Sequence, residues 1–192
     1  MCIIINVSIS KIENRSENSD LSKIVLPDNA RIEQDFKDRS EPDGFNLAVS
    51  MTNSEWVCHF CDDDDFIPDA VFLLNTLVRN GNFKDHDVIF FKCVVDGAHW
   101  GSDRVSLGEM ISANSIPYAS YVRKSVWDEV GGYKCEIYGD WNLWIRLLKA
   151  GKKFVYYPDP IFNFTLNGEG YSMRKVHELG RGECERLARE TV

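Results

Sequence analysis

The chain has 192 residues, of which 44% are hydrophobic, 12% aromatic and 27% charged, and its formal net charge is −8. This balance predicts one globular domain with a sizeable core and excludes a disordered chain. The acidic charge argues against a nucleic-acid partner, although a divalent cation could still mediate contact with an anionic ligand.

The cysteines and the apolar stretches bear on the cellular location of the protein. The only CxxC lies in a strand-like run, where Cys58 and Cys61 would point to opposite faces, so we do not expect a zinc site. No apolar stretch reaches the ~18–20 residues that cross a bilayer, and the N-terminus lacks a signal-peptide pattern. We therefore expect a soluble, cytoplasmic protein with reduced cysteines, either a stand-alone enzyme or one domain of a longer chain.

The N-terminal third of the sequence predicts short strands and little helix. The first strand is apolar and β-branched, and a polar stretch follows it at 10–22. The predicted elements are strands at 2–9, 23–27 and 31–36 and a helix at 46–53.

A run of four carboxylates, Asp62–Asp65, directly follows a predicted buried strand at Trp56–Cys61. Two carboxylates ~4 Å apart repel by about 1 kcal/mol in water and about 4 kcal/mol at an effective dielectric of 20. A bound cation would relieve this repulsion, and oxygen-only ligands suit Mg²⁺, Mn²⁺ or Ca²⁺. The alternative is a solvated acidic turn without a metal.

Beyond the acidic run, helices and strands alternate, which predicts an α/β fold with a mostly parallel sheet. In such a sheet ligands bind at the carboxyl ends of the strands, where the acidic run lies. The predicted helices are at 69–80, 125–130, 140–150 (capped by Asp140) and 175–190; the predicted strands are at 87–95, 118–123 and 153–157; the predicted loops are at 97–115 and 163–172.

Four segments in order resemble family 2 glycosyltransferases of the GT-A fold. Residues 46–68 resemble the block that leads into the DxD motif, and Val130-Gly131-Gly132-Tyr133 resembles a "vGGf" element. Residues 139–151 resemble "EDwdlwlR…aG", and 160–172 are similar to the closing element of the family. The resemblance covers roughly residues 44–172 and implies a single GT-A domain, a mixed, mostly parallel central sheet flanked by helices.

The resemblance implies a metal-dependent, inverting transfer of a sugar from a nucleotide-diphosphate sugar, UDP-sugar by family habit, to an acceptor hydroxyl. Asp140 matches the catalytic base, and a divalent cation, Mn²⁺ or Mg²⁺, would neutralise the leaving diphosphate. The acceptor would be a glycan, a glycoprotein or a lipid-linked molecule. The implied nucleotide-sugar contacts are Asn6, Ser8, Asp28, Asn46, Asp62 and Trp141, and the implied metal ligands are Asp62, Asp63, Asp64 and Asn167.

The chain departs from the family pattern at several of these positions. The Glu before the catalytic Asp is Gly139, and the late Arg and His fall on Thr165 and Asn167. The register within the acidic run also stays open. An ungapped alignment makes Asp63 the metal ligand, whereas a DxD at Asp62–Asp64 makes it Asp64, and either choice leaves Asp65 as the structural residue.

Three other residues have a structural interpretation that we prefer at this point. Trp144 is predicted to be buried, Arg146 to be an ion-pair partner within the fold, and His59 to be a strand residue without a catalytic role. Trp141 lies three residues before Trp144 on the same helix face, and it is the one that we place at the site.

Two other functions compete with the transferase. One is a sugar-phosphate nucleotidylyltransferase, although residues 6–20 lack the glycine-rich basic loop that it would require. The other is a non-catalytic module that binds Ca²⁺ or carbohydrate through the acidic run. In the transferase interpretation the single domain divides into a nucleotide-binding half at 1–65, an acceptor and catalytic half at 66–174 and a C-terminal helix at 175–192.

Overall fold

The computed structural model describes residues 2–6, 41–60, 64–165 and 171–190, with the backbone alone at 2–6, 41 and 171–172. The strands are β1 (Cys2–Asn6), β2 (Trp56–Phe60), β3 (Asp65–Phe66), β4 (Val88–Phe90), β5 (Cys93–Val95), β6 (Ala98–Trp100), β7 (Tyr121–Arg123), β8 (Phe154–Tyr156) and β9 (Phe162–Phe164). The helices are α1 (Glu41–Met51), α2 (Pro68–Arg79), α3 (Leu107–Ser112), α4 (Lys124–Val130), α5 (Gly139–Lys149), α6 (Tyr171–Leu179) and α7 (Arg181–Arg189).

The main sheet has the strand order β1-β2-β7-β4-β8. Strand β1 is parallel to β2 and β4 is parallel to β8, while β7 is antiparallel to both of its neighbours. Four of these five strands therefore run in one direction, which confirms the predicted mixed α/β sheet. The acidic run follows the carboxyl end of β2, beside the end of β1.

A second, smaller sheet has the order β3-β9-β5-β6. It forms because the predicted strand 87–95 is in fact two strands: β4 lies in the main sheet, and after Phe91 and Lys92 the chain enters β5 in the second sheet. Strand β9 pairs with both β3 and β5, so the residues after the acidic run lie next to the chain just beyond Ile161.

The main sheet separates two hydrophobic clusters, as the period of two along its strands requires. Val57, Val88 and Val122 face a cluster built with α1, α3, α4, α5 and α7. Their neighbours Cys58, Ile89 and Tyr121 face the other cluster, which includes Val71 and Leu74 of α2 and Phe162 of β9. Helices thus cover both faces of the sheet.

The Gly131-Gly132 turn, between α4 and α5, is held by hydrogen bonds from Arg146 rather than by ion pairs. Arg146 of α5 donates to the backbone oxygens of Val130 (2.7 Å) and Gly132 and to Asn142 Oδ1 (2.8 Å). The predicted ion-pair role of Arg146 is therefore wrong within the described residues, since its partners are the carbonyls of the Gly131-Gly132 turn. A guanidinium suits these carbonyls because its planar fork presents several donors at once.

The last described helix, α7, contacts the C-terminal end of α3 and the first turn of α5. The Arg189 guanidinium lies 4.8 Å from the centre of the Trp141 ring and donates to the carbonyl oxygens of Ile111 (2.9 Å) and Ser112 (3.3 Å). Asn142 of α5 donates to the oxygens of Ala188 (3.1 Å) and Glu190 (3.2 Å). These bonds tie α3, α5 and α7 into one unit.

Besides the strand 87–95, other predicted segments differ from the structure. The predicted helix 46–53 is α1 at Glu41–Met51, and the predicted strand 118–123 is reduced to β7 at Tyr121–Arg123. The predicted loop 97–115 contains β6 and α3, and the predicted C-terminal helix is split into α6 and α7 at Gly180, which has a φ of 83°. The predicted loop 163–172 contains the end of β9 and the start of α6, with 166–170 outside the described residues. The predicted strands at 23–27 and 31–36 also lie outside them. None of the described helices is both long enough and apolar enough to span a bilayer.

Candidate active site

The candidate catalytic carboxylate, Asp140, lies in the first turn of α5. The predicted N-cap role of Asp140 is wrong, because the helix begins one residue earlier and its N-cap is Tyr138, in the left-handed conformation at φ 51°. A carboxylate in the first helical turn faces the unpaired backbone N–H groups there and interacts favourably with the helix dipole. The first turn of α5 thus stabilises the negative charge of Asp140, although Asp140 is not the N-cap.

Asn114 holds this carboxylate from the other side. Its Nδ2 donates to Asp140 Oδ2 at 3.0 Å, and its Oδ1 accepts from the backbone N–H of Ile116 at 3.2 Å. The second bond fixes which end of the amide faces the carboxylate. Asp140 is therefore oriented by a residue 26 positions away in the chain.

The surroundings of Asp140 raise the pKa of its carboxyl group, with burial as the largest cause. Hydrogen bonds from the backbone N–H of Trp141 and from Asn114 lower the pKa and offset part of that effect. A carboxylate with a raised pKa accepts a proton more readily than an exposed aspartate does. That is the property required of a general base that works near neutral pH.

An open cleft of about 410 Å³ lies next to Asp140. Asn114 lines the cleft and also binds the carboxylate, so Asp140 is one hydrogen bond away from the cleft wall. The described residues that line it are His99, Trp100, Gly101, Ser102, Asn114 and Ser115.

Within the acidic run the structure assigns the structural contacts to Asp64. Its side chain is 7% exposed, and its oxygens accept hydrogen bonds from the Tyr118 hydroxyl and from the backbone N–H of Thr165 (2.7 Å). Asp65, by contrast, is exposed and pairs with Asn163 through the backbone. The prediction that Asp65 is the structural member of the run is therefore wrong. Ligation of a metal by Asp64 stays a prediction.

One short segment connects the two carboxylates. Asn114 binds Asp140, and Tyr118, four residues later, binds Asp64. Four residues of extended chain span at most about 14 Å, so the Cα atoms of the two anchoring residues lie no farther apart than that. The two carboxylates are thus held by nearby parts of one segment.

Most of the other predicted ligands fall outside the described residues. The backbone of Asn6 is described: it ends β1 and pairs with Phe60, the last residue of β2, so it lies beside the start of the acidic run. That position agrees with a contact at the carboxyl ends of the strands. The predictions that lie outside the described residues are Ser8, Asp28, Asp62, Asp63 and Asn167.

Two predicted nucleotide-sugar contacts have internal partners. The Asn46 amide exchanges two hydrogen bonds with the backbone of Tyr133, at 2.8 and 2.9 Å, and a Cβ at Gly132 would collide with it. Trp141 is 5% exposed, and its Nε1 donates to the oxygen of Met110 at 2.6 Å. Contact of either residue with a sugar stays a prediction, and for Trp141 only a small exposed surface is left to make it. Trp144, at 1% exposed, is buried as predicted.

His59 is a buried titratable side chain near these groups. It is packed against the rings of Phe45 and Tyr118, and its Nδ1 lies 3.1 Å from the Tyr133 hydroxyl. Burial lowers the pKa of His59 to about 3. The imidazole is therefore neutral at physiological pH, which supports the structural interpretation of this residue over one as a proton donor.

Sequence reasoning missed the two residues that orient the carboxylates, Asn114 and Tyr118. Asn114 lies in a predicted loop and Tyr118 at the start of a predicted strand, and their partners are 26 and 54 positions away. In the described part of the chain no three acidic, histidine or cysteine side chains are grouped as a metal site would require.

Solved glycosyltransferase structures share this fold. Over 90% of the chain, the structure of TarS (1–349) of S. aureus in complex with UDP-GlcNAc superposes with a TM-score of 0.64 at 13% sequence identity. The complex of the same protein with UDP gives 0.60 over 88% at 13% identity. The mannosyltransferase PcManGT of Pyrobaculum calidifontis, in complex with GDP-Man and Mn²⁺, gives 0.58 over 92% at 12% identity. The fold is therefore a GT-A-like glycosyltransferase fold.

The chain spans about 60% of the length of each of these three structures. No protein-family model matches the sequence, and no curated protein does either. The similarity of this chain to the three solved structures is thus a similarity of fold.

Proposed function

We propose that the protein is a glycosyltransferase that moves a sugar from a nucleotide-diphosphate sugar to an acceptor hydroxyl. The observation that carries this proposal is the placement of Asp140 beside an open cleft and oriented by Asn114, in a fold shared with enzymes that were solved with UDP-GlcNAc and GDP-Man. UDP-sugar is the first donor to test, and GDP-sugar is the second.

In this proposal the transfer is a single in-line displacement with inversion. The acceptor oxygen forms a bond to the anomeric carbon while the bond from that carbon to the β-phosphate oxygen breaks. The nucleoside diphosphate leaves with the electron pair, and Asp140 takes the acceptor proton. The raised pKa of Asp140 favours this transfer, because the proton acceptor is most effective when its pKa is close to the working pH.

A divalent cation fits the chemistry of the acidic run. Asp62 and Asp63 offer only oxygen donors, which Mn²⁺ and Mg²⁺ prefer. The contacts of Asp64 with Tyr118 and Thr165 support a role for it behind these two residues, holding the end of the run against β9. When bound, such a cation would neutralise charge on the diphosphate leaving group.

The first experiment measures nucleotide binding and donor turnover. A thermal-shift series with UDP, GDP, CMP and dTDP, each with and without Mn²⁺, should give a metal-dependent rise in melting temperature with one of them. Mass action predicts about 2.7 kcal/mol of stabilisation at 100 times the dissociation constant. The matching nucleotide sugar is then assayed for release of the nucleoside diphosphate. No shift with any nucleotide would contradict the proposal.

The Asp140→Asn variant separates the competing functions. A transferase should lose turnover and keep its metal-dependent nucleotide shift, because the substitution removes the base and preserves the shape of the side chain. A nucleotidylyltransferase would instead release pyrophosphate from a nucleoside triphosphate and a sugar phosphate. A non-catalytic module would show no turnover in the unsubstituted protein.

A further inference from the structure

The cleft beside Asp140 has one wall made by a tight hairpin at the edge of the second sheet. Strands β5 and β6 pair antiparallel, and the two residues between them, Asp96 and Gly97, both have positive φ, at 49° and 77°. Such a two-residue turn matches the twist of the strands and fixes their register. Trp100 at the end of β6 is 43% exposed and lines the cleft.

The hairpin is fixed against the segment that carries Asn114. The backbone N–H of Ser102 donates to the oxygen of Ser115 at 2.9 Å. Gly101 has a φ of 117°, and a Cβ there would lie 3.4 Å from that same oxygen and 3.5 Å from Pro117 Cδ. The close approach leaves Trp100 and Asn114 at fixed positions on one cleft, and Asn114 in turn is bonded to Asp140.

The cleft lining has the chemistry of a site for an uncharged sugar. The indole of Trp100 offers a flat apolar face, and Ser102, Asn114 and Ser115 offer hydroxyl and amide groups. Among the described residues that line the cleft there is no Lys, Arg, Asp or Glu, and His99 is the one titratable side chain. A phosphorylated ligand would call for Arg or Lys partners, and a lipid chain would call for more apolar surface than one indole.

We propose that this cleft binds the acceptor, and that the acceptor is a neutral pyranose glycan whose ring stacks on Trp100 while one of its hydroxyl groups reaches Asp140. This inference rests on the proposed transferase function and adds the substrate class and the residue that selects it. A pyranose ring fits because its C–H groups form an apolar face, and its hydroxyl groups project from the edge toward the polar residues. Trp100 then acts in acceptor binding, separately from the acidic run.

The test uses the full chain with the donor identified by nucleotide binding. Release of the nucleoside diphosphate is measured with water alone and then with a panel of methyl glycosides and disaccharides of neutral hexoses and N-acetylhexosamines. We expect at least one glycoside to accelerate the release. Trp100→Ala should raise the KM for that glycoside at least ~10-fold, and Trp100→Phe, which keeps an aromatic face, should recover most of the loss.

A matched control is Phe72→Ala, which removes an exposed aromatic side chain of α2 (61% exposed) outside the cleft lining. It should leave the KM for the glycoside unchanged. The nucleotide-dependent thermal shift of the Trp100 variants shows that they fold and bind the donor.

The outcomes distinguish a failure of the acceptor inference from a failure of the proposed transferase function. If the donor is turned over but no neutral glycoside accelerates it, or if Trp100→Ala leaves the KM unchanged, the acceptor inference is wrong and the transferase function stands. If phosphorylated sugars accelerate the release and neutral ones do not, the inference is likewise wrong. If no nucleotide sugar is bound or turned over, the transferase function fails and the acceptor site with it.

Discussion

The two carboxylates that the segment 114–118 connects are held in different ways. Asp64 is almost fully buried, with a hydroxyl and a backbone N–H bound to its oxygens across 54 and 101 positions of sequence. Asp140 is partly exposed, and the side-chain donor that orients it, Asn114, also lines an open cleft. The contacts of Asp64 stabilise the junction of β3, β9 and the segment 114–118, whereas Asp140 is bound by a residue that lines an open cleft.

The environment of each carboxylate, and not its residue type, therefore distinguishes the structural role from the chemical one. A carboxylate that joins distant segments should affect stability when it is removed. A carboxylate beside a cleft should affect turnover. Each of the substitutions below tests one side of that distinction, starting with the largest expected effect.

Asp140→Asn should lower donor turnover in the presence of acceptor by about 10²–10⁴-fold, the range of a lost general base. The melting temperature should change little, because the side chain keeps its shape. A matched control is Asp69→Asn, which alters an aspartate in the first turn of another helix, α2, and should leave turnover unchanged. Comparable turnover in Asp140→Asn and in the unsubstituted protein would remove Asp140 as the base.

Asp64→Ala should lower the free energy of unfolding by about 2–4 kcal/mol, because it leaves the Tyr118 hydroxyl and the Thr165 N–H without their partner. Asp65→Ala, one residue along in exposed β3, should change it by less than about 0.5 kcal/mol. Urea denaturation measures both. Equal effects at the two positions would contradict the assignment of the structural role to Asp64.

Tyr118→Phe should cost about 1.5 kcal/mol of unfolding free energy, since it removes one hydrogen bond to a charged group and leaves the Thr165 N–H in place. Its ring also packs against His59 and Phe162, and phenylalanine preserves those contacts. A double-mutant cycle with Asp64→Ala isolates the bond. If the two losses simply add, the hydroxyl and the carboxylate do not stabilise each other.

Asn114→Ala should move the acid limb of the pH–rate profile to higher pH. The Asn114 amide lowers the pKa of Asp140, so its removal raises that pKa further and the base becomes protonated at a higher pH. Ser115→Ala, a change next to it in the same cleft, should leave the profile in place. An unchanged profile in Asn114→Ala would show that the amide does not lower the pKa of Asp140.

The sequence predicts the elements that have strong local patterns. Strand β2 is a continuous apolar run, and α2 and α5 have apolar residues at helical spacing, so each was located within one or two residues of its observed bounds. The hairpin of β5 and β6 was missed. Each strand is only three residues long, and β5 continues from an apolar run that also supplies β4.

The sequence indicates only part of the candidate site, because only some of its residues lie in a strong local pattern. Asp140 lies inside a recognisable motif, and the acidic run is conspicuous in the sequence. The contacts that give Asp140 and Asp64 different roles come from Asn114, Tyr118 and the backbone of Thr165, and all three arise from tertiary packing of segments far apart in sequence. No local propensity encodes which carboxylate a distant hydroxyl will bind.

The burial of Asp140 has opposite consequences for stability and for reactivity. Because its pKa is raised in the folded protein, the folded state takes up a proton more readily than the unfolded chain does. Its contribution to stability is therefore fully present below the unfolded pKa and is lost as the pH rises through the folded pKa. The proposed chemistry requires the deprotonated form, which is the form that the fold tolerates least. The working pH of this protein would thus balance the deprotonation of Asp140 against the folding stability that is lost with it.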